Sequence, residues 1–94
     1  MQYVKVEWAH EFDNEPVTYL SEIGNDRYET RKVQIYRNGR MEWSDETHET
    51  ATVGLSEVPF PSLEEISSQA EFTASLIDAS DFEPAWNRAK MAGE

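Results

Sequence analysis

Two histidines and nineteen carboxylates are the side chains of this 94-residue sequence whose types suit proton transfer or metal binding. His10 follows Trp8 by two positions, so the pair shares one face at the end of an alternating segment. There an imidazole either caps a hydrogen-bond network or acts as a base, and no nucleophile or acid stands at a defined spacing from it. His48 lies in the polar run Ser44-Asp45-Glu46-Thr47-His48-Glu49-Thr50 and reads as solvated. Asp45, Glu46, His48 and Glu49 offer oxygen and imidazole ligands, but the run lacks the glycine and ligand periodicity of a calcium loop, so no metal is expected. Gly24, Gly39, Gly54 and Gly93 are isolated, so no glycine-rich phosphate loop is present and no cofactor is implied. The absence of cysteine removes thiolate chemistry and disulfides, and fits a reducing cytoplasm.

Charge is the stronger signal. The net charge is −11, and its placement is uneven: through Arg40 there are seven acidic and six basic residues, whereas Met41 to Asn87 holds eleven acidic residues and no Lys or Arg. A one-signed surface of this kind repels nucleic acid and attracts cationic partners. Solubility alone accounts for it equally simply. The cations cluster as Arg27, Arg31, Lys32, Arg37 and Arg40 with Tyr28 and Tyr36 interleaved, a pattern that can stack bases. Pairing with Glu7, Glu22 and Glu29 on neighbouring strands is the better expectation for them, so direct nucleic-acid binding is not expected.

The elements that must position these groups are legible from periodicity. Residues 2–10 alternate, with Val4, Val6 and Trp8 on one face, and Val17–Ile23 forms a second strand after Pro16. Gly24-Asn25-Asp26 supplies a turn with φ > 0. A third strand runs from about Tyr28 to Arg37, with Val33 and Ile35 towards the core and Lys32, Gln34 and Tyr36 on the other side. Asn38-Gly39 predicts a type I′ hairpin turn into a fourth strand carrying Met41 and Trp43. Ala51–Leu55 predicts a further short strand. Pro59 and Pro61 bar a helix until Ser62, which opens a capping box with Glu65. Phe72–Leu76 alternates as a strand, with Ile77 on the opposite face. Ser80 and Glu83 form a second capping box, with Pro84 in the first turn. Phe82, Ala85, Trp86 and Ala89 make the apolar stripe of a helix from about Asp81 to Met91. The expected fold is therefore α+β, one domain over residues 1–94. It is a one- or two-layer antiparallel meander of four to five strands, with one short helix and a C-terminal amphipathic helix packed on one face. No signal peptide or membrane-spanning run is read, which makes a soluble cytoplasmic protein the expectation.

Tyr3-Val4-Lys5-Val6-Glu7-Trp8 with His10, Glu15-Pro16-Val17, Ser21-Glu22-Ile23, Arg31-Lys32-Val33 with Tyr36 and Gly39, Pro59 and Pro61 before Leu63-Glu64-Glu65-Ile66, and Phe82 with Trp86 together resemble an uncharacterised family of small bacterial domains of unknown function. The resemblance covers nearly the whole chain and implies no activity. Asp45 to Thr50 matches it least, and family members more often carry Asp-Gly at the hairpin.

These readings converge on a non-enzymatic acidic binding protein that occludes a basic protein surface, in the manner of an immunity protein or a phage protein that blocks a defence nuclease by imitating nucleic acid. Glu42, Asp45, Glu46, Glu49, Glu57, Glu64, Glu65 and Glu71 would carry the contact, with Trp43 or Phe60 as its aromatic anchor. A structural or accessory domain without inhibitory activity is the alternative, and a small enzyme or ligand-binding domain using His10 is the third. Sequence leaves monomer and dimer equally open.

Overall fold

The computed structural model describes residues 1–92. Five strands, β1 (Gln2–Trp8), β2 (Thr18–Ile23), β3 (Glu29–Ile35), β4 (Met41–Asp45) and β5 (Phe72–Ile77), form one antiparallel sheet in the order β4-β3-β2-β1-β5. The first four strands are the expected meander. β5 returns beside β1, pairing Val6 with Ala74 and Tyr3 with Ile77. Helix α1 (Leu63–Ser67) precedes β5, and helix α2 (Ala79–Ala92) follows it.

Strand alternation divides the core between two sheet faces, so the molecule has three layers rather than one or two. On the helix face, Leu20, Val33 and Met41 pack against Phe82, Ala85, Trp86 and Ala89 of α2, the four stripe residues and the buried ones of that helix. On the opposite face, Val4, Val6 and Ile23 pack against Tyr19, Phe60, Leu63, Ile66 and Phe72. Val4 and Val6 therefore do not share a core with Val33, as one apolar face would require. Ile23 lies on this side by plain alternation with Tyr19 and Ser21; the β2–β3 register shifts after Glu22, which pairs with Arg31 while Ile23 pairs with Glu29, and this carries Glu29 onto the same face as Lys32. The bulge leaves Thr30 as the extra residue, free to donate to the Glu22 carboxylate at 2.6 Å.

Several local expectations are corrected. At the hairpin Gly39 has positive φ (90°) and Asn38 does not, so the turn is not type I′. The Gly39 N–H donates to Tyr36 O, and the Asn38 side chain accepts from Arg40 N. This is the three-residue loop, a turn closed by a glycine bulge, and it needs only one residue in the left-handed region. In the β2–β3 connection the positive φ falls on Arg27 (73°) rather than on Gly24, Asn25 or Asp26. Arg27 is held there because its guanidinium donates to Gln2 Oε1, Phe60 O and Pro61 O while its own carbonyl accepts from Phe60 N. Helix α2 starts earlier than Asp81. The Asp78 carbonyl accepts from Asp81 N and Phe82 N, and the Asp81 carboxylate reaches back to the Asp78 N–H, so Pro84 lies in the second turn, and Glu83 is spent on Arg31 instead of a cap. At α1 the expected cap holds: Ser62 Oγ accepts from Glu65 N at 3.1 Å.

Candidate functional site

The face opposite α2 is covered by α1 and by an irregular strap, residues 50–61, where a strand was expected at Ala51–Leu55. The strap does not join the sheet through its backbone. Side chains of β3 hold it instead: Gln34 donates to Thr52 O at 3.1 Å, Lys32 to Gly54 O at 3.0 Å, and Glu29 accepts from Ser56 N at 2.7 Å. The three bonds fall at every second residue, 52, 54 and 56, each on a different side chain of one sheet face. Val53 is buried and anchors the strap from within.

Glu29 and Lys32 form the ionic centre of this layer. The Glu29 side chain is 2% exposed and lies 3.2 Å from Lys32 Nζ, with Ser21 Oγ donating to its other oxygen at 2.8 Å. Beside this centre lies a cavity of about 370 Å³, walled by Val6, Tyr19, Phe60, Ile66 and Phe72. Glu29, Lys32 and Ser21 also line it, and Glu65 and Gln69 of the α1 region stand at its exposed side.

On the helix face the matching centre is Arg31. It donates to Glu22 through Nε (2.9 Å) and Nη2 (2.5 Å), and to Glu83 at 3.0 and 2.5 Å. Its guanidinium lies over the rings of Phe82 and Trp86 at 4.9 and 5.0 Å. Hydrogen bonding from Arg31 drives the Glu22 carboxyl down to about 2, against the opposing effect of its burial. Arg31 also lowers the Glu83 carboxyl, and both carboxylates raise the guanidinium above its ordinary value.

The histidines take structural places. His10 Nδ1 accepts from Phe12 N at 2.9 Å, so its Nε2–H donates to Pro16 O at 2.8 Å, and the ring lies 4.0 Å from Trp8. Both nitrogens are committed, which leaves no lone pair for a base in this geometry. His48 is not solvated: it stacks on Trp43 at 3.7 Å and 14°, half-buried, while its carbonyl accepts from Ser44 Oγ.

The cations are consumed internally, as the pairing argument anticipates, but with partners on both sheet faces. Besides Arg31 and Lys32, Lys5 pairs with Glu7 (3.1 Å), Arg37 with Asp13 (3.5 Å) and Arg40 with Glu42 (3.6 Å). Lys90 lies over Trp43 and Trp86, and Tyr36, whose ring the disfavoured base-stacking pattern would need exposed, is 5% exposed.

The carboxylates singled out from sequence separate into three groups. Asp45, Glu46, Glu49 and Glu57 are brought together around one shallow cavity of about 300 Å³. Burial works against the Asp45 charge, but the N–H and hydroxyl of Thr47 outweigh it and hold the carboxyl below its usual range. Glu64 and Glu65 occupy the first turn of α1, and Glu71 precedes β5. None of these seven has a cationic side chain within 4.0 Å among the described residues, and all but Asp45 are exposed. Glu42 and Trp43 stand apart. Glu42 accepts from Tyr36 OH and Thr52 Oγ1, each at 2.6 Å, and Trp43 packs edge-on against Trp86 at 5.3 Å. No group of three or more His, Cys, Asp or Glu among the described residues is placed to hold a metal ion. Sequence reasoning named Glu29 as a partner for the cations on a neighbouring strand, whereas it pairs with Lys32 of its own strand; the cavity beside the pair was not anticipated.

A five-stranded antiparallel sheet between a C-terminal helix and a strapped polar face defines an α+β domain. Residues 2–91 match the model of a domain of unknown function (DUF6881), and the chain belongs to that family. No curated protein and no solved structure matches it. No helix among the described residues is long and apolar enough to cross a membrane.

Proposed function

We propose that this protein is a non-enzymatic acidic binding protein of the bacterial cytoplasm, which occludes a positively charged surface of a protein partner such as a nuclease or a nucleic-acid-binding complex. One observation carries the reading. Among the described residues the cations are spent on internal partners, with Arg88 alone taking no pair or ring there, while Glu46, Glu49, Glu57, Glu64, Glu65 and Glu71 remain exposed without a cation. Such a surface accelerates association with a basic partner and disfavours acidic ones, whether the blocked site belongs to a toxin or to a defence enzyme.

The test is affinity capture at about 0.05 M and 0.5 M salt, over which the screening length shortens roughly threefold. The wild-type chain is compared with Glu46→Lys/Glu49→Lys. The expected result is a basic protein retained at low salt, lost at high salt, and lost from the double variant at low salt with unchanged thermal melting. Capture of no basic protein, or retention indifferent to the charge reversal, refutes the reading.

A further inference from the structure

The cavity beside the Glu29–Lys32 centre has the make-up of a small-molecule site. Its aromatic and aliphatic walls, Tyr19, Phe60, Phe72, Val6 and Ile66, flank an open cleft of about 370 Å³, within the range of ligand pockets. Its floor is a neutral ion pair, and a count of hydrogen-bond valences shows what that pair still offers. The Lys32 ammonium has three protons, of which Gly54 O and Glu29 Oε1 take two. The Glu29 carboxylate has about four acceptor positions, of which Lys32, Ser56 N and Ser21 Oγ take three. One donor and one acceptor are left on adjacent groups. The Gln69 amide at the exposed side makes no side-chain hydrogen bond among the described residues, and Glu65 beside it carries a negative charge.

We infer that this cavity binds a planar, uncharged ligand presenting an adjacent hydrogen-bond donor and acceptor, the pattern of an aromatic carboxamide or a lactam-type heterocycle. The aromatic walls supply stacking area, and the floor supplies the two complementary hydrogen bonds. An anion meets Glu65 and Glu29. A cation meets Lys32 at the floor. A neutral donor–acceptor edge satisfies both floor groups at once, and buried polar groups discriminate strongly against ligands that leave them unpaired. This inference shares only Glu65 with the acidic surface and does not depend on it, since its test leaves Glu46 and Glu49 unchanged.

A matched panel tests it: benzamide, benzoate and benzylammonium have the same ring and size and differ in charge. Each is titrated into the ¹⁵N-labelled protein while amide shifts are followed. Benzamide is expected to perturb Ser21, Lys32 and Phe72, and to bind at least fivefold more tightly than either ion. Gln69→Trp places an indole at the exposed side of the cavity without touching the sheet, and is expected to weaken benzamide at least tenfold while leaving the melting temperature unchanged. Should that variant melt lower, Gln69→Arg serves the same purpose. Equal or tighter binding of either ion, shifts centred elsewhere, or no binding by any of the three overturns the inference.

Discussion

Removing the charge of Glu22 tests whether the Arg31 centre fastens α2 to the sheet. Its side chain is 8% exposed, and Arg31 with Thr30 holds the carboxyl at about 2, against an ordinary 4.5. Each pH unit of that depression corresponds to about 1.4 kcal/mol, so ionised Glu22 stabilises the folded state by about 3 kcal/mol at neutral pH. A carboxyl lowered in the fold contributes fully above its unfolded value, and the contribution fades as pH falls from 4.5 through about 2. Glu22→Gln mimics the protonated side chain, so its deficit follows the same curve. Thermal unfolding at pH 7 should show a melting temperature lower by about 12–24 °C for a domain of this size. By pH 3 the gap should be less than half as large, and near pH 2 it should almost vanish. Glu83→Gln is the control: its side chain is 44% exposed, and an exposed partner is worth about 1 kcal/mol or less. A Glu22→Gln deficit that persists unchanged to pH 2, or that matches the Glu83→Gln deficit at pH 7, refutes the reasoning.

Lys32→Met leaves the Glu29 carboxylate buried without its cation and frees Gly54 O. It should destabilise by about 3 kcal/mol and speed hydrogen exchange at the Ser56 amide; adding Glu29→Gln should recover part of the loss in urea unfolding, and a purely additive double variant would contradict the coupling. Gly39→Ala meets nothing within 4 Å at its new Cβ, so the change acts through the backbone alone at φ 90°. It should cost about 1 kcal/mol in chemical denaturation, and an unchanged midpoint would count against the glycine-bulge turn.

The meander, both helices and the α2 stripe were legible because each rests on a local period: two for β1 to β4 and 3.6 for Phe82, Ala85, Trp86 and Ala89. The three-layer arrangement was not. Alternation says which residues share a face of their own strand, but it does not tie the face of β1 to the face of β3, and the bulge at Thr30 reverses parity between Glu29 and Arg31. Ala51–Leu55 misled for another reason. Its backbone bends at Ala51 and Thr52 and is matched by side chains of β3, and a sequence does not distinguish a segment bound by Gln34 and Lys32 from one bound by a neighbouring strand. The exposed acidic residues were visible as composition. That Glu42 is tied to Tyr36 and Thr52 depended on contacts across the hairpin and from the strap, which carry no local pattern.

One strand connects these features. Arg31 and Val33 of β3 hold α2 on one face, while Glu29, Lys32 and Gln34 hold the strap on the other. Because the charges of the strand's two cations are paired with Glu22, Glu83 and Glu29, they are unavailable to neutralise the acidic residues displayed around the strap and on α1. The surface charge is thus a consequence of how the layers are joined, not merely of the number of acidic residues. Clipping the strap at 52, 54 and 56 also limits the conformations open to Glu49, just before it, and to Glu57, within it. A charged surface ordered in advance gives up less conformational entropy when a partner docks, so more of its interaction energy is realised as affinity. On this reasoning the Lys32→Met variant, which keeps every surface carboxylate, should bind a basic partner more weakly than wild type at equal salt. Charge alone, with no contribution from the strap's fixed position, requires binding at least as tight, since the variant is one unit more negative.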